Sequence, residues 1–137
     1  MTRYLIVANK TLGGEHLLEQ IRQRMAAGES TFHLVVPATA PGDHPWTEGE
    51  ARASAQRRLA EAVSRLVALG AEVDGEVGDA NPMLAIEDAM LQQPFDEIIL
   101  STLPPGPSRW LKLGLPDRVK AKFPIPVTHV IGEPEPG

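Results

Sequence analysis

Short aliphatic runs alternate along the chain with longer segments of helical periodicity. The runs predict strands over Tyr4 to Ala8, Phe32 to Val36, Ala71 to Val77, Glu97 to Ser101 and Val127 to Ile131. The segments between them predict helices over residues 15–26, 48–69, 82–93 and 116–122, and a short helical turn over 109–113. Thr47 and Asn81 are predicted to cap the second and third of these helices. This alternation is typical of parallel strands joined by crossover helices. We therefore predict one α/β domain over residues 1–132, followed by a disordered tail over 133–137.

The polarity of each strand predicts its place in the sheet. The first and fourth strands are continuously apolar, which is typical of central strands covered on both faces. The third strand carries Glu72, Asp74 and Glu76 at alternate positions, which favours an edge. With right-handed crossovers, these features predict an open, parallel, five-stranded sheet of order 3-2-1-4-5 with helices on both faces.

This strand order also predicts where a ligand would bind. The winding reverses between strands 1 and 4, and ligands of such sheets bind beyond the carboxyl ends of the strands at that point. The candidate site is therefore the loop Asn9 to Gly14 facing the loop Ser101 to Ser108. The cleft alone is also compatible with a small α/β enzyme, although no nucleophile with a base and no paired carboxylates point to one.

Charge and composition exclude several classes of protein. Thirteen Lys and Arg against eighteen Asp and Glu give a net charge of -5, which disfavours nucleic-acid and anionic-membrane partners. The chain has no cysteine, which excludes disulfide scaffolds and thiol catalysis. No apolar run approaches the ~20 residues of a membrane helix, and the apolar stretch Tyr4 to Ala8 is too short for a signal peptide. We predict a cytoplasmic protein.

Several motifs follow one another in an order that resembles the universal stress protein family. They are a first strand running into a short polar loop, a GD-x-x-P segment (Gly78-Asp79-Ala80-Asn81-Pro82), an apolar fourth strand, a glycine-bearing loop and a closing Pro126-Val127 strand. The resemblance implies a Rossmann-like fold of the adenine nucleotide alpha hydrolase type. It also implies a homodimer that pairs through the last strand.

The ATP-binding branch of that family has an aspartate after strand 1 and a G-x2-G-x9-G-[ST] pattern after strand 4. On this chain the aspartate position is Asn9, and the glycine positions are Ser101, Pro104 and Gly114. The hydroxyl position is Leu115, which has no oxygen to offer a phosphate. The resemblance therefore implies a binding module in which ATP or AMP binding, with Mg²⁺, is weak or lost.

An anion site could be rebuilt from Gly106, Ser108, Arg109 and Lys112, with Lys10 from across the cleft, because guanidinium and ammonium groups bind phosphate. In that case the chain would be a functional ATP- or AMP-binding stress protein; otherwise the segment from Pro104 to Gly114 is a rigid closing loop. The full set of candidate nucleotide-binding residues is Asn9, Lys10, Thr11, Val36, Ser101, Pro104, Gly106, Ser108, Arg109, Lys112, Gly114 and Leu115. Trp110 next to the loop either stacks on a base or packs against the sheet.

The remaining features leave open alternatives. The proline-rich segment Pro37 to Trp46 is either a lid or a simple connection. The four histidines lack the spacing of metal ligands or catalytic groups. The last strand carries Val127, His129 and Ile131 on one face and has an exposed edge, which either a second copy or the tail would cover. We expect the second copy.

Overall fold

A computed structural model describes residues 1–39, 47–104 and 108–132, and its five strands form one parallel sheet. The strands are β1 (Thr2–Val7), β2 (Ser30–Pro37), β3 (Glu72–Gly78), β4 (Glu97–Thr102) and β5 (Val127–Ile131). Their order is β3-β2-β1-β4-β5, as the sequence predicts. Residues 40–46 of the proline-rich segment Pro37 to Trp46 and the predicted tail 133–137 lie outside the described residues.

Strand β1 is the centre of the sheet. It pairs with β2 on one side and with β4 on the other, so that Ile6 lies opposite both Leu34 and Ile99. All three side chains are fully buried. Continuous apolar sequence is therefore matched by helices on both faces, as a central parallel strand requires.

Five helices within the described residues connect and cover the strands. They are α1 (Glu15–Ala27), α2 (Glu48–Ala68), α3 (Pro82–Gln92), α4 (Arg109–Lys112) and α5 (Leu115–Lys122). The predicted caps of two helices are confirmed: Thr47 Oγ1 accepts from the Glu50 amide at 3.0 Å, and Asn81 Oδ1 accepts from the Met83 amide at 2.9 Å. These bonds satisfy amides that the first helical turn leaves unpaired.

The core has one layer on each face of the sheet. On the first face, α1 and α2 pack on side chains such as Phe32 and Leu34. On the second face, α3, α4 and α5 pack on side chains such as Leu5 and Ile98. Because successive residues of a strand point to opposite faces, each central strand contributes to both layers.

Gly75 shows how closely β3 packs against α2. A Cβ atom at this position would lie 2.6 Å from Leu59 Cδ1 and 2.8 Å from the Leu34 carbonyl oxygen. Only a residue without a side chain fits between the strand and the helix.

We predict that Gly75→Ala lowers the free energy of unfolding by about 1–3 kcal/mol, because the added methyl overpacks this contact. Gly49→Ala is the matched control, since the nearest atom lies 4.0 Å from its Cβ. This second change should be neutral or stabilise α2 by about 0.5–1 kcal/mol, because alanine favours the helix. Urea unfolding followed by circular dichroism measures both, and equal stability of the two variants would contradict the packing.

Candidate functional site

Two hydroxyl groups join the loop that follows β1 to the end of β4. Thr11 Oγ1 and Ser101 Oγ lie 2.5 Å apart, and both residues are almost completely buried. We call them the hydroxyl pair. Parallel pairing of Val7 with Leu100 brings the two strand ends to the same edge of the sheet. The pair therefore occupies the point where the winding reverses and where a ligand would enter.

Gly132 covers the hydroxyl pair from the side of β5. Its amide donates to the Thr102 carbonyl at 2.9 Å, which holds the backbone beyond β5 against β4. A Cβ on Gly132 would lie 3.1 Å from Thr11 Cβ and 3.5 Å from Ser101 Oγ. Thr11, Ser101 and Gly132 thus pack against one another between the ends of β1, β4 and β5. We call this region the closed cleft.

Both polar atoms of the Asn9 side chain make internal hydrogen bonds. Its Nδ2 donates to the Pro37 carbonyl at 2.8 Å, and its Oδ1 accepts from an Arg58 guanidinium nitrogen at 2.8 Å. Asn9 is only 8% exposed. In this arrangement Asn9 ties the end of β1 to the end of β2 and to α2. The sequence did not indicate Arg58, because nothing in a helical pattern marks one arginine as the partner of a loop 49 residues away.

Leu115 lies in the core. It is 1% exposed and packs with Trp110 and Val119 on the second face of the sheet. The preceding Gly114 has a φ of 67°, which turns the chain into α5 and directs Leu115 inward. Trp110 is buried in the same layer, so the packing alternative describes its position.

The other candidate residues have different environments. Ser108 Oγ accepts from the Leu111 amide at 3.1 Å, and the Ser108 amide donates to the Pro104 carbonyl at 3.2 Å, so Ser108 caps α4. Val36 is buried, Lys10 is half-buried and Lys112 is exposed. Gly106 and the side chain of Arg109 lie outside the described part of the chain.

Thr102 and His129 form a hydroxyl and imidazole pair that the sequence did not reveal. Thr102 Oγ1 lies 2.8 Å from His129 Nε2 and donates to the Leu103 carbonyl at 3.0 Å. Burial lowers the pKa of His129 below its usual 6.5, and Lys120 lowers it further, although Asp117 opposes the shift. Because the Thr102 hydroxyl hydrogen is used on the Leu103 carbonyl, His129 Nε2–H donates to Thr102 Oγ1. The Thr102 hydroxyl thus links β4 to β5. Because Thr102 is only 2% exposed, this hydroxyl is not available to attack a substrate.

Strand β5 is an edge whose outward main-chain groups are mostly unpaired. The Ile98 amide donates to the Pro126 carbonyl at 2.9 Å, so Pro126 and every second residue after it face β4. The main-chain groups of Val127, His129 and Ile131 therefore point away from the sheet. Within the described residues, only the Ile131 carbonyl has a partner, His16 Nδ1 at 2.9 Å.

Comparison with known proteins shows a likeness in structure but none in sequence. No family model and no curated protein matches the chain. A solved structure of a universal stress protein family protein from Arabidopsis thaliana, with AMP bound, matches with a TM-score of 0.65 and 10% identity. The match covers 97% of this chain and 93% of that one. The chain has the universal stress protein fold. The Rossmann-like architecture that the resemblance implies is confirmed.

The described residues offer neither a cluster of metal-binding side chains nor a helix suited to cross a membrane. Across residues 1–39, 47–104 and 108–132, no group of three His, Asp or Glu side chains could hold a metal ion. None of the helices in these ranges is long and apolar enough to cross a membrane. Of the four histidines, His44 is outside these ranges.

Proposed function

We propose that this chain is a universal stress protein-like binding module that acts as a homodimer in the cytoplasm and binds adenine nucleotides weakly or not at all. The fold supports the module. The weak nucleotide binding is inferred from the closed cleft, because the hydroxyl pair and Gly132 pack together where the chain leaves β1, β4 and β5. A small enzyme at this cleft would need the same space for its substrate.

Among the described residues, two positions where the resemblance implies phosphate contacts carry no group that binds phosphate. Leu115 is a core residue without an oxygen, and Pro116 has no amide hydrogen to donate. The Ser101 hydroxyl already bonds Thr11. Each hydrogen bond to a charged oxygen is worth about 1.5–3 kcal/mol, so two or three losses weaken binding roughly 10²- to 10⁶-fold.

A nucleotide-binding stress protein is the second candidate. The structure from Arabidopsis thaliana that shares this fold has AMP bound, which favours the same ligand here. Lys10 and Lys112 are at least partly exposed near the two loops and could supply positive charge. For an adenine nucleotide to enter the closed cleft, the hydroxyl pair would have to separate.

The dimer is supported by the chemistry of the β5 edge. Val127, Thr128, His129, Val130 and Ile131 include no acidic residue, so a second copy can approach without charge repulsion. The unpaired outward groups of Val127 and His129 supply donors and acceptors for it.

Calorimetric titration of the full chain with Mg-ATP and with AMP tests the nucleotide statement. We expect dissociation constants weaker than about 100 μM, since at least two phosphate contacts are missing. Ser101→Gly should strengthen binding roughly tenfold, because it removes both the hydroxyl and the Cβ from the cleft. Ser101→Ala is the matched control that keeps the Cβ.

A low-micromolar dissociation constant for the unchanged chain would support the second candidate. In that case Arg109→Ala and Lys112→Ala would show whether those side chains provide the affinity.

Light scattering at tens of micromolar protein tests the dimer. We expect a dimer for the unchanged chain and a monomer for Val127→Pro, because proline removes an outward N–H that makes no bond to β4. Val127→Ala keeps that N–H and should remain a dimer. A monomeric unchanged chain, or a dimer that Val127→Pro does not affect, would contradict pairing through β5.

A further inference from the structure

Strand β3 forms the opposite edge of the sheet, and its outer side is open. The Ala38 amide donates to the Gly78 carbonyl at 3.1 Å, so Gly78 and every second residue before it face β2. The N–H and C=O groups of Val73, Gly75 and Val77 therefore point away from the sheet. Within the described residues, none of these outward groups has a hydrogen-bond partner.

Acidic side chains follow this open edge on the side of α3. Glu72, Asp74 and Glu76 alternate along β3 and share that face. A groove of about 490 Å³ continues from them between the end of β3 and α3. Asp79 and Asp88 line this groove with Glu76, and Arg52 is the one cation among its lining residues. We call the open strand and this groove the β3 edge.

Two polar groups at or beside the β3 edge, on Glu76 and on His33 of β2, make no hydrogen bond within the described residues. The His33 side chain is only 10% exposed, and its Nδ1 lies 2.8 Å from Asp74 Oδ1. Its Nε2 is buried and has no hydrogen-bond partner in the described residues. Nε2 lies 3.4 Å from Glu76 Oε2, and in the same residues that carboxylate accepts no hydrogen bond. Glu76 is about one-third exposed toward the groove and can accept from an incoming cation.

A second copy of this chain does not suit this edge. Pairing β3 with itself would place the carboxylates of Glu72, Asp74 and Glu76 beside their equivalents on one face, and like charges at such positions destabilise a sheet. Lys or Arg side chains at alternate positions of an added strand would instead meet these carboxylates as opposite charges. The charge of the edge thus selects a basic partner.

We propose that the β3 edge binds an extended, basic segment of a partner protein, which joins the sheet as an added strand. Main-chain bonds to Val73, Gly75 and Val77 hold the segment, as in other cases of strand addition. Its Lys or Arg side chains lie on the face of Asp74 and Glu76, and its intervening residues lie on the opposite face. Leu91, which lines the groove and is 85% exposed, adds an apolar contact at its end.

Nuclear magnetic resonance titration of the ¹⁵N-labelled full chain tests this inference. The probe is an acetylated and amidated octapeptide in which Lys alternates with Val or Thr. We expect saturable amide shifts confined to β3 and α3, and an affinity that falls about tenfold between 50 and 300 mM NaCl. The control peptide, with Glu in place of every Lys, should cause no saturable shift.

Two variants of the protein separate charge from strand addition. Glu72→Lys with Asp88→Lys should weaken binding at least about tenfold. The matched control, Glu19→Lys with Glu61→Lys, changes the net charge equally at exposed sites elsewhere and should change binding less than about twofold. Val77→Pro removes an outward N–H without removing a bond to β2 and should also weaken binding.

Three results would overturn the inference. They are the absence of binding by the Lys peptide, equal binding by the Glu peptide, and saturable shifts centred on β5 or on the closed cleft. A dimer that dissociates on Glu72→Lys with Asp88→Lys would assign the β3 edge to a second copy instead.

Discussion

The parallel pairing of β1 with β4 joins the two halves of the sheet, and the positions of both halves depend on it. Tyr4 to Val7 lie opposite Glu97 to Leu100, and almost all of these side chains are buried under helices on both faces. This pairing brings the loops after β1 and β4 to one point on the sheet edge. At that point, Thr11, Ser101 and Gly132 pack against one another and form the closed cleft.

The same architecture leaves two strand edges with different chemistry. The β5 edge is free of acidic residues, whereas β3 carries Glu72, Asp74 and Glu76. A sheet edge is an interaction surface unless side chains or other elements protect it. Like charges exclude self-association at β3 without excluding a basic partner. Both proposed interactions use these edges, and the closed cleft holds the loop after β1 to β4 and β5.

Much of the fold could be predicted from the sequence because its signals are local. Apolar continuity indicated the central strands, acidic alternation indicated the β3 edge, and Thr47 and Asn81 indicated helix starts. The boundaries were less exact: β1 begins at Thr2 and β2 at Ser30, because backbone pairing extends into polar sequence.

The contacts of the site could not be predicted, because they join residues far apart in the chain. Thr11 and Ser101 are separated by 90 positions, and no periodicity marks either as the partner of the other. The partners of Asn9, and of Thr102 at His129, depend in the same way on how neighbouring elements pack. The amide shifts of Thr11, Ser101 and Gly132 on addition of AMP are the most direct measurement of the closed cleft. We predict no saturable change at these three amides below about 100 μM AMP, and a saturable change with low-micromolar affinity would contradict the account.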